Sequence, residues 1–399
     1  MPIKLTIKRL DNQGRGISYY NDKIIFIYDA LIDEEVEVEI TKETSKYYEG
    51  KVVNYIKQSN NRIQPKCPYI NECGGCNLMH MSFDQQMDFK KIKLKDILYK
   101  YAGIEDIDIK FIESNKDLFY RNKIELKVHN NTYSYYNHDS HESVDIARCL
   151  LANNTINEII DYHSFMNIRN GDITIRSNYK DELLLVINCD HFEFFNEPPE
   201  NVIGVVVNNK TVYGNNYFFD MIGDYKFKVS YDAFFQINNY IANEIFKILN
   251  NYLDGNVLLD LYCGSGVMGI SMKDKVNKII GIEKIDNAIK DANDNANLNG
   301  VKDFKYYVGD TSDVLNKIND DIDVVIVDPP RSGLNDKTLN ELLMIKPNMI
   351  GYVSCDPMTL ARDINVLKEQ YNIKKIYGLD MFPNTYHIES LLVLEKKDV

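Results

Sequence analysis

The sequence contains no tryptophan. No apolar run approaches the roughly 18–20 residues that a membrane-spanning helix needs. The opening MPIKLTIKRL lacks a long apolar core followed by a small-residue cleavage site, so no signal peptide is expected. A soluble, cytoplasmic protein follows as the expectation. Positive charge is also in short supply: 46 Lys and Arg stand against 59 Asp and Glu, for a net charge of −13. Taken alone, that balance speaks against a nucleic-acid partner, whose phosphates favour basic surfaces. It leaves room for a local basic patch. Lys90, Lys91, Lys93, Lys95 and Lys100 crowd into DFKKIKLKDILYK, where a solvated helix face is the ordinary reading. Cysteine is present but odd in number, at seven. In a chain with no secretory signal expected, this argues against a disulfide framework and for metal binding or catalysis.

What is there divides along the chain. With 399 residues the protein has room for two or three domains. Residues 1–57 read as short strands around the turn DNQGRG. In EEVEVEI, Val36, Val38 and Ile40 fall on one face and three glutamates on the other. Several short strands in so short a stretch predict a small, OB-like barrel. Residues 58–80 form a Cys-rich loop, 82–101 read as a helix, and 111–230 are strand-rich. From about residue 232, apolar strands alternate with amphipathic helices, which predicts a parallel sheet covered on both faces.

The strand ends of that last region carry polar loops. DLYCGSG (260–266) follows a buried strand, and backbone at Gly264 and Gly266 can approach a ligand closely. Glu283 ends the next strand, where an acid can accept hydrogen bonds from both ribose hydroxyls. The loop lacks the spacing that cradles a pyrophosphate. A nucleoside cofactor without phosphates fits better, and S-adenosylmethionine is the common one. Asp310 ends the third strand, within reach of an adenine. DPPRSG (328–333) places Asp328 at the same edge, and VSCDP (353–357) places Cys355 there as a candidate nucleophile. A thiolate beside a methyl donor can add to carbon 6 of a pyrimidine, which makes carbon 5 nucleophilic. A base must then remove the carbon-5 proton, and FPNTYHIES offers Glu389 and His387.

Together FFQIN (234–238), DLYCGSG, Glu283 after IIGI, DPPRSG, SCDP and FPNTYHIE resemble the uracil-5 RNA methyltransferase family, in particular its 23S ribosomal-RNA branch. The resemblance implies a C-terminal Rossmann-like (class I) methyltransferase sheet over 225–399. It implies a TRAM domain, an OB-like RNA-binding barrel, over 1–57, and a β-rich central domain over 58–224. Cys355 is implied as nucleophile and Glu389 as base. Gln236, Tyr262, Glu283, Asp310 and Asp328 are implied as S-adenosylmethionine contacts. Val267 departs from the family pattern, in which some members carry Asn after the glycines, and this puts one cofactor contact in question.

CPYINECGGC (67–76) holds three cysteines, and their spacing alone leaves a Cys₄ zinc site open beside an iron–sulfur cluster. The resemblance implies a [4Fe–4S] cluster on Cys67, Cys73, Cys76 and Cys149. Cys189 and Cys263 are then left as buried thiols. RNA, most of all 23S ribosomal RNA, is the implied partner, with no membrane and no obligate protein partner. Transfer RNA is the alternative substrate, and cytosine-5 methylation fits the motifs less well. A non-catalytic iron–sulfur RNA-binding or redox-sensing protein is the reading from another class.

Overall fold

Val36 and Val38 are fully buried, while Glu39, next along the strand, is exposed. That alternation seats Glu35–Glu43 in a six-stranded sheet made from residues 3–57. The strand pairs antiparallel with Ile3–Thr6 on one side and with Tyr47–Lys57 on the other. Lys23–Tyr28 runs parallel to Tyr47–Lys57, and Gly16–Tyr20 closes a hairpin onto it. Leu5, Ile25, Ile27, Val36, Val38 and Tyr48 form the core. One carboxylate is buried with them. Glu34 accepts from the N–H groups of Leu31 (2.8 Å) and Ser59 (3.1 Å), and from Arg62 Nε (2.6 Å) and a terminal nitrogen (2.8 Å). Four charge-assisted bonds offset its loss of water.

The computed structural model describes residues 2–105, 108–138, 140, 142–161 and 165–398. They divide into two compact units. One comprises residues 1–93, 135–144 and 384–386, the other 94–134, 145–383 and 387–399. The expected helix spans Phe83–Ala102. Its lysines do not all lie on a solvated face. Lys90 is fully buried, and Lys93 donates to the Tyr386 carbonyl at 2.8 Å with its ammonium 5.0 Å from the Tyr386 ring. Lys91, Lys95 and Lys100 are exposed. Charge runs are read along the sequence, but a helix distributes them around its whole circumference.

In the second unit, Asn170–Ser177 lies between Lys123–His129 and Leu183–Cys189, antiparallel to both. Val202–Val207 runs parallel to Leu183–Cys189. The helix Asn154–Asp161 buries Ile156, Ile159 and Ile160 at helical spacing. The α/β region builds an eight-stranded sheet. Across it run Phe304–Val308, Lys278–Glu283, Val257–Leu261, Val324–Val327, Met349–Ser354, Glu389–Lys396, Tyr371–Leu379 and Ile109–Ile112. Its first five strands are parallel. Glu389–Lys396 is antiparallel to both neighbours, so the sheet is mixed and not wholly parallel as expected. Ile109–Ile112, four residues far upstream in sequence, joins the edge. Successive strand residues feed two cores: Leu258, Ile326 and Val353 on one face, Leu259, Val325 and Tyr352 on the other.

Candidate active site

The chain order of the sheet reverses between Lys278–Glu283 and Val324–Val327, on either side of Val257–Leu261. Crevices open at the carboxyl ends of strands flanking such a point. Val257–Leu261 delivers Tyr262, held at φ +62°, and then Gly264 at φ +53°. A Cβ at Gly264 would meet nothing within 4 Å, so this backbone borders open space. Gly266 differs. A Cβ there would sit 3.0 Å from the Tyr306 hydroxyl, so that glycine serves packing and not ligand approach.

Glu283, at the end of the next strand, is held by three backbone N–H groups. Oε2 accepts from Gly264 (3.2 Å), and Oε1 accepts from Lys284 (2.7 Å) and Ile285 (2.9 Å). Such a carboxylate is fixed before a ligand arrives and keeps lone pairs for a diol. Asp310 lies two residues past Val308, the last residue of its strand. It caps the short helix Thr311–Val314, accepting from the Ser312 N–H (3.1 Å) and hydroxyl (2.8 Å). Those bonds hold its carboxyl below the usual range. Beneath the loop, Asp260 is fully buried and accepts from the Gly269 N–H at 2.8 Å. Burial pushes its carboxyl up to about 8.

Asp328 follows Val324–Val327 directly, and its N–H reaches the Leu261 carbonyl at 3.4 Å. Loss of water raises it to about 6. Cys355 follows Met349–Ser354, and Glu389 opens the antiparallel neighbour. Glu389 is buried, and its Oε1 has no hydrogen-bond partner among the described residues. Burial first, then the charge of Asp328, push it well above the usual carboxylate range, against the pull of Arg331. Cys355 is half-buried. Desolvation, then Glu389, raise its thiol to about 11, while Arg331 draws it down. Arg331 thus acts on both groups. It stands in the quoted DPPRSG stretch, and reading that stretch for its prolines and aspartate missed it. His387 packs its ring edge-on against Phe382 at 5.9 Å.

Gln236 lies in the irregular segment 233–238 before the helix Asn239–Tyr252, and it is nearly buried. Phe234 beside it is 65% exposed. The cysteines of CPYINECGGC are half-buried in the first unit, where the Gly75 N–H lies 3.4 Å from Cys73 Sγ. Cys149 lies in the second unit. Its backbone is held by the buried Asn157, which accepts from its N–H (2.8 Å) and donates to its carbonyl (3.0 Å). Among the described residues no three His, Cys, Asp or Glu side chains are gathered as a metal ion would require. Cys263 is buried as expected, whereas Cys189, near the end of a strand, is half-buried.

The chain is similar to known proteins along its whole length. Residues 200–397 match the family described as tRNA (Uracil-5-)-methyltransferase, and residues 3–53 match the TRAM domain. An uncharacterized RNA methyltransferase of Aquifex aeolicus is 34% identical, over all of this chain and 99% of that protein. The chain belongs to the RNA (uracil-5-)-methyltransferase family. Another uncharacterized RNA methyltransferase, from Clostridium tetani, is 31% identical over 98% of this chain and 95% of its own. Among solved structures, the Pyrococcus abyssi tRNA (uracil-54, C5)-methyltransferase in complex with S-adenosyl-L-homocysteine is similar with a TM-score of 0.81. It is 25% identical and covers 98% of this chain and 100% of its own. In this RNA methyltransferase, then, the large sheet is Rossmann-like, and Asp328, Cys355 and Glu389 lie at the ends of three strands adjacent in it.

Proposed function

We propose that the enzyme methylates carbon 5 of uridine in RNA through a covalent adduct between Cys355 and carbon 6, with S-adenosylmethionine as cofactor and 23S ribosomal RNA as substrate. The observation that carries the chemistry is strand register. Ser354 pairs with Ser390, so Cys355 and Glu389 are the next residues across from one another. S-adenosylmethionine, when bound, supplies an electrophilic methyl group. Glu283 and the open backbone at Gly264 fit its ribose and its close approach. Tyr262, Gln236, Asp310 and Asp328 are the further contacts we propose.

The chain's own residues then act in sequence. The Cys355 thiol gives up its proton to solvent water, favoured by the Arg331 charge, and its sulfur bonds to carbon 6. The electron pair displaced from the 5,6 double bond makes carbon 5 nucleophilic, and carbon 5 takes the methyl. Glu389, as carboxylate, removes the proton from carbon 5. The double bond re-forms and the sulfur leaves carbon 6 as thiolate. The target base must be out of its stack to reach Cys355, which folded or single-stranded RNA permits.

Residues 1–57 as an OB-like RNA-binding barrel, 58–224 as a central domain and 225–399 as the methyltransferase domain complete the proposal. The donor chemistry of Cys67, Cys73, Cys76 and Cys149 fits a [4Fe–4S] cluster. An N–H···S contact such as that from Gly75 to Cys73 favours a thiolate ligand. No step of the reaction runs through the cluster. The TRAM match together with the cysteine stretch supports ribosomal RNA. A second reading, transfer RNA, draws support from the Pyrococcus abyssi enzyme, whose likeness extends over nearly the whole chain. Mass spectrometry of nucleosides from separated ribosomal and transfer RNA, from cells with and without the protein, decides. Loss of 5-methyluridine from 23S RNA is the expected result. Loss from transfer RNA alone replaces the substrate, and loss from neither removes the activity.

A further inference from the structure

The segment that carries Gln236 does not hold its own shape. Residues 233–238 form neither helix nor strand, and Phe234 projects into solvent. Its backbone is fixed instead by two residues more than fifty positions upstream. Arg176, on the strand Asn170–Ser177, donates to the Ala233 carbonyl at 2.6 Å. Asn122 donates through its side chain to the Gln236 carbonyl at 2.9 Å and through its N–H to the Ile237 carbonyl at 3.2 Å. The same amide reaches Asn239 Oδ1 at 3.0 Å. Asn122 is itself anchored, because its carbonyl accepts from the N–H of Ser177, next to Arg176.

Arg176 is an unusual choice for packing alone. Its residue is 4% exposed, its Nε has no hydrogen-bond partner, and it forms no ion pair among the described residues. Glu125 and Asp232 act on it only through their fields, and burial lowers its guanidinium to about 10. A buried cation with one hydrogen bond costs stability, and a hydrophobe of similar volume generally serves a core as well or better. What the guanidinium does that a hydrophobe cannot is grip a carbonyl at the base of the Gln236 segment.

We propose that Arg176 and Asn122 are positioning residues for methyl transfer, gripping the carbonyls of Ala233 and Gln236 so that the Gln236 side chain is presented to the cofactor. This rests on Gln236 being a cofactor contact. A displacement of about 1 Å at such a contact costs on the order of 10²-fold.

The test uses the full-length enzyme as wild type, Arg176→Met, Arg176→Lys, Gln236→Ala and the Arg176→Met/Gln236→Ala double variant. Melting temperature, equilibrium S-adenosylmethionine affinity and methyl transfer to RNA are measured for each. Arg176→Met is expected to melt like wild type, to bind the cofactor more weakly and to transfer methyl roughly 10–100-fold more slowly. Arg176→Lys, which keeps a donor, recovers part of that loss. The double variant is no weaker than Gln236→Ala, because both changes act through one contact. Unchanged affinity and rate in Arg176→Met overturn the proposal. So does a loss that tracks a lowered melting temperature, or losses that multiply in the double variant. If Gln236→Ala binds the cofactor like wild type, the reading of Gln236 fails. Arg176 is then judged on transfer rate: a fall at unchanged melting temperature upholds its positioning role, and a wild-type rate overturns it. Should Arg176→Met not fold, Asn122→Asp removes the donor to Gln236 at constant shape and carries the same test.

Discussion

Cys355 and Glu389 are the next residues beyond a ladder that pairs Ser354 with Ser390 and Val353 with Leu391. Residues directly opposed across antiparallel strands have Cβ atoms roughly 4.5–5.5 Å apart. A nucleophile and a base held that way can act on carbons 6 and 5 of one ring, which are bonded neighbours. Glu389→Gln keeps this geometry and removes the proton acceptor. RNA should still be attacked and methylated at carbon 5, but the sulfur cannot leave. A covalent RNA–protein species should build up on denaturing gels, with turnover down by about 10²–10⁴-fold, the usual contribution of a general base. Continued turnover with no trapped species places the base elsewhere.

Cys355→Ala tests the other half of the pair. Addition to carbon 6 has no substitute nucleophile, so methyl transfer should fall to background. Cofactor affinity, measured by calorimetry, should stay at the wild-type value, since the contacts proposed for the cofactor lie on other strands. Full activity in this variant removes the covalent mechanism.

The pH profile follows from the same environment. With its thiol raised to about 11, Cys355 is almost wholly protonated near neutrality. Glu389 is raised as well, so its basic form also grows with pH. Both effects have one sign. kcat/KM should climb from about pH 6 to about pH 9, because that ratio reports groups of the free enzyme. Arg331→Met removes the charge that draws both groups down. It should slow the reaction and move the rise to higher pH. A flat profile in wild type means that RNA binding, not these ionisations, limits the rate.

The large sheet could be read from sequence because Val257–Leu261, Val324–Val327 and Met349–Ser354 are apolar runs ending in polar loops, and Cys355, Asp328 and Glu283 stand at strand ends. Other features were out of reach. Ile109–Ile112 is too short to show a period, and its pairing partner Ile376–Leu379 lies far along the chain. Lys90 looked solvated because charge is judged residue by residue, while its burial depends on what packs against the helix. Asn122 and Arg176 act on backbone carbonyls, which have no sequence identity at all. Glu389 was visible as a carboxylate, but its raised affinity for a proton comes from the closure of the sheet around it and from Asp328.

Asp260 gives a stability test separate from catalysis. Its carboxyl lies near 8 in the folded chain and has an ordinary value of 3.8. A raised carboxyl binds its proton more tightly when folded. Its stabilising contribution is therefore complete below the ordinary value and is lost as pH rises towards the folded one. Asp260→Asn carries no such charge and keeps an oxygen for the Gly269 N–H. The melting temperature of wild type should fall relative to Asp260→Asn between about pH 5 and pH 8. Parallel melting curves across that range contradict a buried, protonated Asp260.

The cysteine set is tested by colour and by metal content. A [4Fe–4S] cluster held by thiolates gives brown protein with iron and sulfide in equal amounts, whereas a tetrahedral Cys₄ site holds colourless zinc. Cys73 is the thiolate that receives the Gly75 N–H, so Cys73→Ser removes both a ligand and the contact that favours its charged form. Protein purified without oxygen should be brown as wild type and should lose both colour and iron as Cys73→Ser. Cys189→Ser, outside the proposed set, should keep both. Wild type that is colourless and carries zinc replaces the cluster with a zinc site on the same cysteines. If colour is present and survives Cys73→Ser, the ligands have been chosen wrongly.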